Sequence, residues 1–173
     1  CALILQVIAG KDEKDATSSP QTVPNYLRDL KKDLQGIILG MPKECFEEGL
    51  DPQIKERINE ASQEFEKLGV KIKKISMPML KYGVPVYYLI GTSETSSNLG
   101  RYDGVRFGST RDKFTNETMR RIMLGTYALS AGYYDAYYKK AQQGRTLFIK
   151  EYQKALTECD AILMPVEPMV ATK

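Results

Sequence analysis

The chain has 173 residues, 42% hydrophobic and 27% charged, which is long enough for a domain with a core and ordinary for a globular protein. Its 25 basic and 22 acidic residues leave a net charge of +3, too small an excess to indicate nucleic-acid binding, which needs clustered cations. Histidine is absent, which removes Ser–His–Asp and Cys–His catalysis and most zinc sites. Proton transfer must then use carboxylate, Lys, Tyr or groups from outside the chain.

In chain order, Ala2 to Ala9 reads as the end of a buried helix stopped by Gly10. This apolar opening, too short to span a bilayer and without an initiator Met, is expected of a fragment. The polar run from Lys11 to Asn25 carries two prolines and reads as a surface loop. Gln35 to Met41 is a short apolar run closed by Pro42, expected as a buried strand. Asp51-Pro52 marks a helix start, with Asp as N-cap and Pro at the first helical position. Ile54, Ile58, Ala61, Phe65 and Leu68 then trace one apolar stripe, ended by Gly69. Val70 to Met77 follows as a strand, so strand, helix and strand predict a right-handed parallel unit.

The second half is helical. Tyr82 to Leu99, rich in Gly91, Thr92, Ser93, Ser96 and Ser97, predicts a helix packed closely on its neighbours. Gly100 to Ser109 is a loop. Asn116 to Ala131 predicts a helix with apolar positions Met119, Ile122, Met123, Tyr127 and Leu129, broken by Gly132. A long helix is expected from Tyr133 to Glu158, then a final buried strand from Asp160 to Val166, cut by Pro165. The sum is an α/β fold: a mixed, largely parallel sheet with helices on both faces, open on one side. Cys1, Cys45 and Cys159 form no CxxC pair and read as reduced thiols of a cytosolic protein.

Several residues carry two readings. In Tyr87-Tyr88, one ring packs in the core and one at its edge, or a tyrosine lines a substrate cleft and offers its hydroxyl. On a helical wheel Arg121 falls opposite the apolar positions and Arg120 flanks them. Both are then solvated cations, or one clamps a carboxylate with its planar fork. The loop Arg101 to Gly108 is a phosphate or RNA contact, or a turn whose Asp103 accepts from its own backbone, and the turn is favoured. Tyr133, Tyr134, Tyr137 and Tyr138 suit a packing seam better than a base-stacking platform. No Walker or GxGxxG sequence offers a nucleotide cradle.

Four segments, KDATS at 14–18, GIILGMPKE at 36–44, SSNLGRYDGVRFG at 96–108 and RRIMLGTYALSAGYYDAYY at 120–138, stand together in one order. As a set they resemble the tRNA-dependent amidotransferase branch of the amidase-signature family. The resemblance runs along nearly the whole chain. It implies that 1–173 is part of an amidase-signature domain, without the upstream Ser–Ser–Lys centre and without the extreme C-terminus. No catalytic residue is therefore carried over. The resemblance implies glutamine contacts at Tyr87 and Arg121, with an acidic partner beyond Lys173.

It further implies a glutaminase subunit that supplies ammonia to convert Glu-tRNA(Gln) to Gln-tRNA(Gln). The implied assembly is a cytoplasmic heterotrimer with the B and C subunits of the amidotransferase. ATP and Mg would be used by the partner subunit, tRNA would be held mainly by the B subunit, and no cofactor would sit in this chain. The family usually carries a longer insertion between Gly108 and Ser109, so these residues are expected to flank a mobile loop. Two alternatives stand beside this one, another amidase-signature hydrolase and a non-catalytic docking domain of the same fold.

Overall fold

The structure, a computed structural model, describes residues 1–47 and 49–171. Helices α1 (Ala2–Ile8) and α2 (Tyr26–Asp29) precede strand β1 (Ile38–Pro42), helix α3 (Pro52–Lys67) and strand β2 (Lys71–Ile75). Helices α4 (Gly83–Gly100), α5 (Asn116–Leu129) and α6 (Lys140–Ala155) follow, and then strand β3 (Ala161–Ile162).

The predicted parallel unit is present. Asp51 caps α3 by accepting from the Gln53 N–H at 2.7 Å, with Pro52 in the first turn. Gly69 ends the helix at φ +86°, a left-handed conformation that only glycine adopts at no cost. The chain then turns back so that β2 lies parallel to β1, Ile38 opposite Lys71 and Pro42 opposite Ile75. β3 joins the other edge of β1, also parallel, giving the order β2-β1-β3. Crossovers to opposite sides of one strand place their helices on opposite faces when both are right-handed.

Strand alternation explains the core. Ile38, Ile75 and Ile162 share the face against α6, where they meet Tyr152, Ala155, Cys159, Met77 and Leu80. Gly40 belongs to that face because a Cβ there would lie 2.7 Å from Cys159 Sγ and 2.8 Å from Ile75 Cδ1. Glu44 locks the far ends of β1 and β2 together, accepting from Ser76 Oγ at 2.6 Å and the Met77 N–H at 2.8 Å. Nothing in the hydrophobic pattern signals that tie.

Five expectations need correction. α1 is not buried: Leu3, Ile4, Val7 and Ile8 are 61–76% exposed, because no element among the described residues covers them. Leu68 is exposed, being the cap residue of α3 rather than part of its stripe. The helix after Gly132 does not start as an α-helix. Asp135–Lys139 is a π-turn, and only Lys140–Ala155 is regular. β3 is two residues long, not seven, and Ala161 is exposed. Pro42 ends β1 from inside and is fully buried, rather than closing the run from outside.

The chain also exposes much surface for its size. Its accessible area is 13,369 Å², where a compact monomer of 19.6 kDa would expose about 8,600 Å².

Candidate functional site

The densest packing outside the sheet is between α4 and α5, and small residues make it possible. Gly125 faces the Thr92 carbonyl so closely that any side chain would collide, and a Cβ there would lie 2.7 Å from Ser96 Cβ. Thr92 and Ser93 are buried. Their hydroxyls donate back to the Tyr88 and Leu89 carbonyls at 2.6 Å each, so the burial leaves no polar group stranded. Ser96 Oγ and Thr126 Oγ1 meet across the interface at 2.8 Å.

This packing corrects the reading of α5. Its buried positions are Gly125 and Ala128, and Arg121 lies on the same i, i+4, i+7 stripe. Met119, Met123 and Tyr127 face away and are 45%, 69% and 47% exposed. The wheel correctly separates Arg121 from the apolar positions, but the apolar side is the open one. Arg121 therefore faces α4.

Its neighbours form a charged cluster. Thr115 caps α5, accepting from the Thr118 N–H at 3.2 Å, and Glu117 in the first turn suits the positive helix end. From there it reaches both arginines one turn on. Arg121 Nε donates to Glu117 Oε1 at 2.7 Å. Arg120 donates Nε to Oε2 at 2.8 Å and Nη2 to Oε1 at 3.0 Å. These donors, Arg120 first and then Arg121, hold the Glu117 carboxyl down at about 2.

The Tyr87 hydroxyl lies near the Arg121 guanidinium and the Tyr88 hydroxyl near that of Arg120. Glu117 first and the Tyr87 hydroxyl second push the Arg121 guanidinium further up; Glu117 and then Tyr88 do the same for Arg120. The two rings stand edge to face, 5.8 Å apart at 82°. The Tyr87 ring also lies over Gly91, where a Cβ would be 3.4 Å from Cε2. Neither ring is in the core: Tyr87 is 58% exposed and Tyr88 39%. Tyr87 borders a shallow groove of about 430 Å³ with Ile90, Gly91, Arg145 and Phe148. The structure thus brings Tyr87 and Arg121 together across 34 residues of sequence and adds Glu117, Arg120 and Tyr88. Sequence reasoning misses Glu117, although its i+3 and i+4 spacing to two arginines is visible there. The cluster can bind a carboxylate, but among the described residues it places no activated nucleophile beside that position.

Other candidates take structural roles. Asp103 Oδ1 accepts from the Val105 N–H at 2.9 Å, so the loop is the expected turn. Arg111 caps α4 through the Tyr102 and Gly100 carbonyls at 2.7 and 2.9 Å. Tyr102 donates to the Ser109 carbonyl at 2.5 Å, which closes the turn around Gly108. Tyr133 packs 4.3 Å from Tyr127, and Tyr134 packs 5.3 Å from Tyr138, as a seam. A concavity of about 580 Å³ lies at the carboxyl ends of the strands near Lys43, Cys45 and Lys81. Of its acids, Glu44 is already spent on Ser76 and Met77, and burial first, then Glu44, pushes the Cys45 thiol up, away from the reactive thiolate. Among the described residues, no cluster of His, Cys, Asp or Glu could hold a metal, and no helix is long and apolar enough to cross a membrane.

The fold falls within a known group. The family profile "Amidase" matches residues 1–173, and the chain belongs to the amidase family. Within it, the chain is similar to the A subunit of the glutamyl-tRNA(Gln) amidotransferase of Streptococcus uberis, 48% identical over 98% of this chain and 38% of the relative. The equivalent protein of Sulfurihydrogenibium is 50% identical over 99% of this chain and 39% of the relative. The crystal structure of the Thermotoga maritima A subunit superposes with a TM-score of 0.75 at 36% identity, over 99% of this chain and 36% of that one. A bacterial aryl acylamidase of the amidase-signature family shares the fold alone, at a TM-score of 0.64 and 18% identity. The chain spans less than two-fifths of the length of these relatives. Alignments of 185 and 187 positions to a chain of 173 residues also mean that the relatives carry residues this chain lacks.

Proposed function

We propose that this chain is the glutamine-recognising part of a tRNA-dependent amidotransferase subunit. The whole subunit would hydrolyse glutamine and deliver the ammonia for conversion of Glu-tRNA(Gln) to Gln-tRNA(Gln). The observation that carries this reading is the near-half identity along the whole chain to proteins named for that subunit in separate bacteria. Two amidase structures that share the fold are 22% and 18% identical to this chain.

The geometry supports a division of labour. Arg121 presents a guanidinium that meets the α-carboxylate of glutamine, and Tyr87 beside it offers a hydroxyl that fixes the substrate. Holding the substrate this way lowers the entropic part of the barrier for a nucleophile supplied elsewhere. That nucleophile would belong to a Ser–Ser–Lys set on the same longer polypeptide, with the acidic contact for the substrate amine beyond Lys173. Residues 1–173 are then one portion of the amidase-signature domain, and the relatives' extra residues enter between Gly108 and Ser109. The B and C subunits would complete a cytoplasmic heterotrimer, with ATP, Mg and most tRNA contacts in the B subunit.

The test is amidation by the full-length polypeptide copurified with its partner subunits. Glutamine, ATP and Glu-tRNA(Gln) together are expected to yield Gln-tRNA(Gln). Hydrolysis of simple amides without tRNA-dependent amidation would assign the chain to another amidase-signature hydrolase.

A further inference from the structure

We propose that Glu117 is a positioning residue for glutamine: it holds the guanidinium of Arg121 so that its two terminal nitrogens, not its Nε edge, meet the substrate carboxylate. This rests on the assignment of Arg121 as the glutamine clamp. A guanidinium has two edges that can form paired hydrogen bonds, one of them using Nε. In Arg121 the Nε donor is already committed to Glu117 Oε1 at 2.7 Å. The Nη1/Nη2 edge then carries the remaining in-plane pair for an incoming carboxylate. Free of Glu117, an arginine side chain samples many rotamers and offers either edge.

Glu117 itself is paired on both sides. It sits in the first turn of α5 behind the Thr115 cap. Arg120 grips it through both carboxylate oxygens, at 2.8 and 3.0 Å. Arg120 is thus the counter-ion that immobilises the acid, and Arg121 is the group the acid aims. The adjacent arginines therefore have different tasks, although both belong to one ion-pair cluster. The α4–α5 contact at Gly125 sets the distance between this cluster and Tyr87.

The experiment uses the full-length polypeptide in its complex, with Glu117→Ala, Glu117→Gln, Arg121→Ala and the Glu117→Ala/Arg121→Ala double variant. Glutamine KM, kcat and ammonia-dependent amidation are measured for each. Glu117→Ala is expected to raise glutamine KM about tenfold, the effect of losing roughly one orienting hydrogen bond, with kcat at saturation and ammonia-dependent amidation near wild type. Glu117→Gln keeps an acceptor for Nε and should recover part of that loss. In the double variant, removing Glu117 should add less than about twofold to the Arg121→Ala defect, because the two act as one unit.

Equal falls in glutamine-dependent and ammonia-dependent activity for Glu117→Ala would make Glu117 structural and overturn the proposal. So would a full additive loss in the double variant. An unchanged KM in Glu117→Ala with a large Arg121→Ala defect would reject the positioning role and leave the clamp standing. If Arg121→Ala itself spares glutamine use, the underlying assignment fails instead.

Discussion

The cluster around Arg121 depends on single atoms, and its members should respond separately. Replacing Tyr87 by Phe removes one hydroxyl and leaves an exposed ring in place. A neutral hydrogen bond is worth about 0.5–1.5 kcal/mol, so glutamine kcat/KM should fall roughly 2- to 12-fold with little change in melting temperature. Steady-state kinetics and a thermal melt check this; an unchanged kcat/KM removes Tyr87 from the site. Glu117 makes a prediction about pH. Its carboxyl lies at about 2, below its usual 4.5, so its contribution to stability is complete above pH 4.5 and disappears as pH falls towards 2. Carboxyl NMR should find it ionised at pH 4; a midpoint near 4.5 would mean that the ion pairs do not hold in solution.

At the level of elements, the α4–α5 contact is the most sensitive. Gly125→Ala puts a methyl group against the Thr92 carbonyl and Ser96 Cβ. Overpacking of this kind costs about 1–3 kcal/mol, and because the contact is backbone, the helices must separate. Both stability and glutamine use should fall, as measured by denaturant unfolding and kinetics; a neutral result would show that the helices approach less closely. Asp51→Ala is simpler: loss of the α3 cap should cost about 1 kcal/mol without touching the substrate step.

The contrast between these two sites shows what is legible in the sequence. The cap at Asp51, the stop at Gly69 and the parallel unit follow from local rules, and each is readable. The α4–α5 face is not. Where helices approach through Gly125, Thr92 and Ser93, the buried stripe is small and partly polar, so hydropathy puts the core of α5 on the side of Met119, Met123 and Tyr127. The π-turn at Asp135–Lys139 is hidden for a related reason, since its apolar spacing resembles that of an α-helix. The tyrosine and arginine pairs stand out as candidates in the sequence, but only the family resemblance singles out Tyr87 and Arg121. Their juxtaposition comes from tertiary packing, and the spacing of Glu117 to both arginines, though readable, gains meaning only once the direction of Arg121 is known.

The whole molecule carries an unusual surface. With 13,369 Å² exposed, it shows about half as much again as a compact protein of its mass, and the apolar sides of α1 and α5 contribute to the excess. The 173-residue segment expressed alone should therefore bind an apolar dye and self-associate; a monodisperse monomer that excludes the dye would contradict this. It should also show no glutaminase activity, since binding groups without a nucleophile only position the substrate. Steady glutamine hydrolysis by the purified segment would relocate the chemistry.

The central claim is that Arg121 recognises glutamine for a reaction whose bond-breaking groups lie elsewhere. Its most direct test compares glutamine-dependent and ammonia-dependent amidation in the full-length complex, wild type against Arg121→Ala. A charge-assisted hydrogen bond is worth about 1.5–3 kcal/mol, so glutamine kcat/KM should fall by roughly one to two decades. Arg121→Lys should recover only part, because an ammonium lacks the two-pronged fork. Added ammonia should restore amidation to the wild-type rate, since the damaged step precedes its release. If glutamine-dependent and ammonia-dependent rates fall together, Arg121 holds the fold rather than the substrate, and the account is wrong.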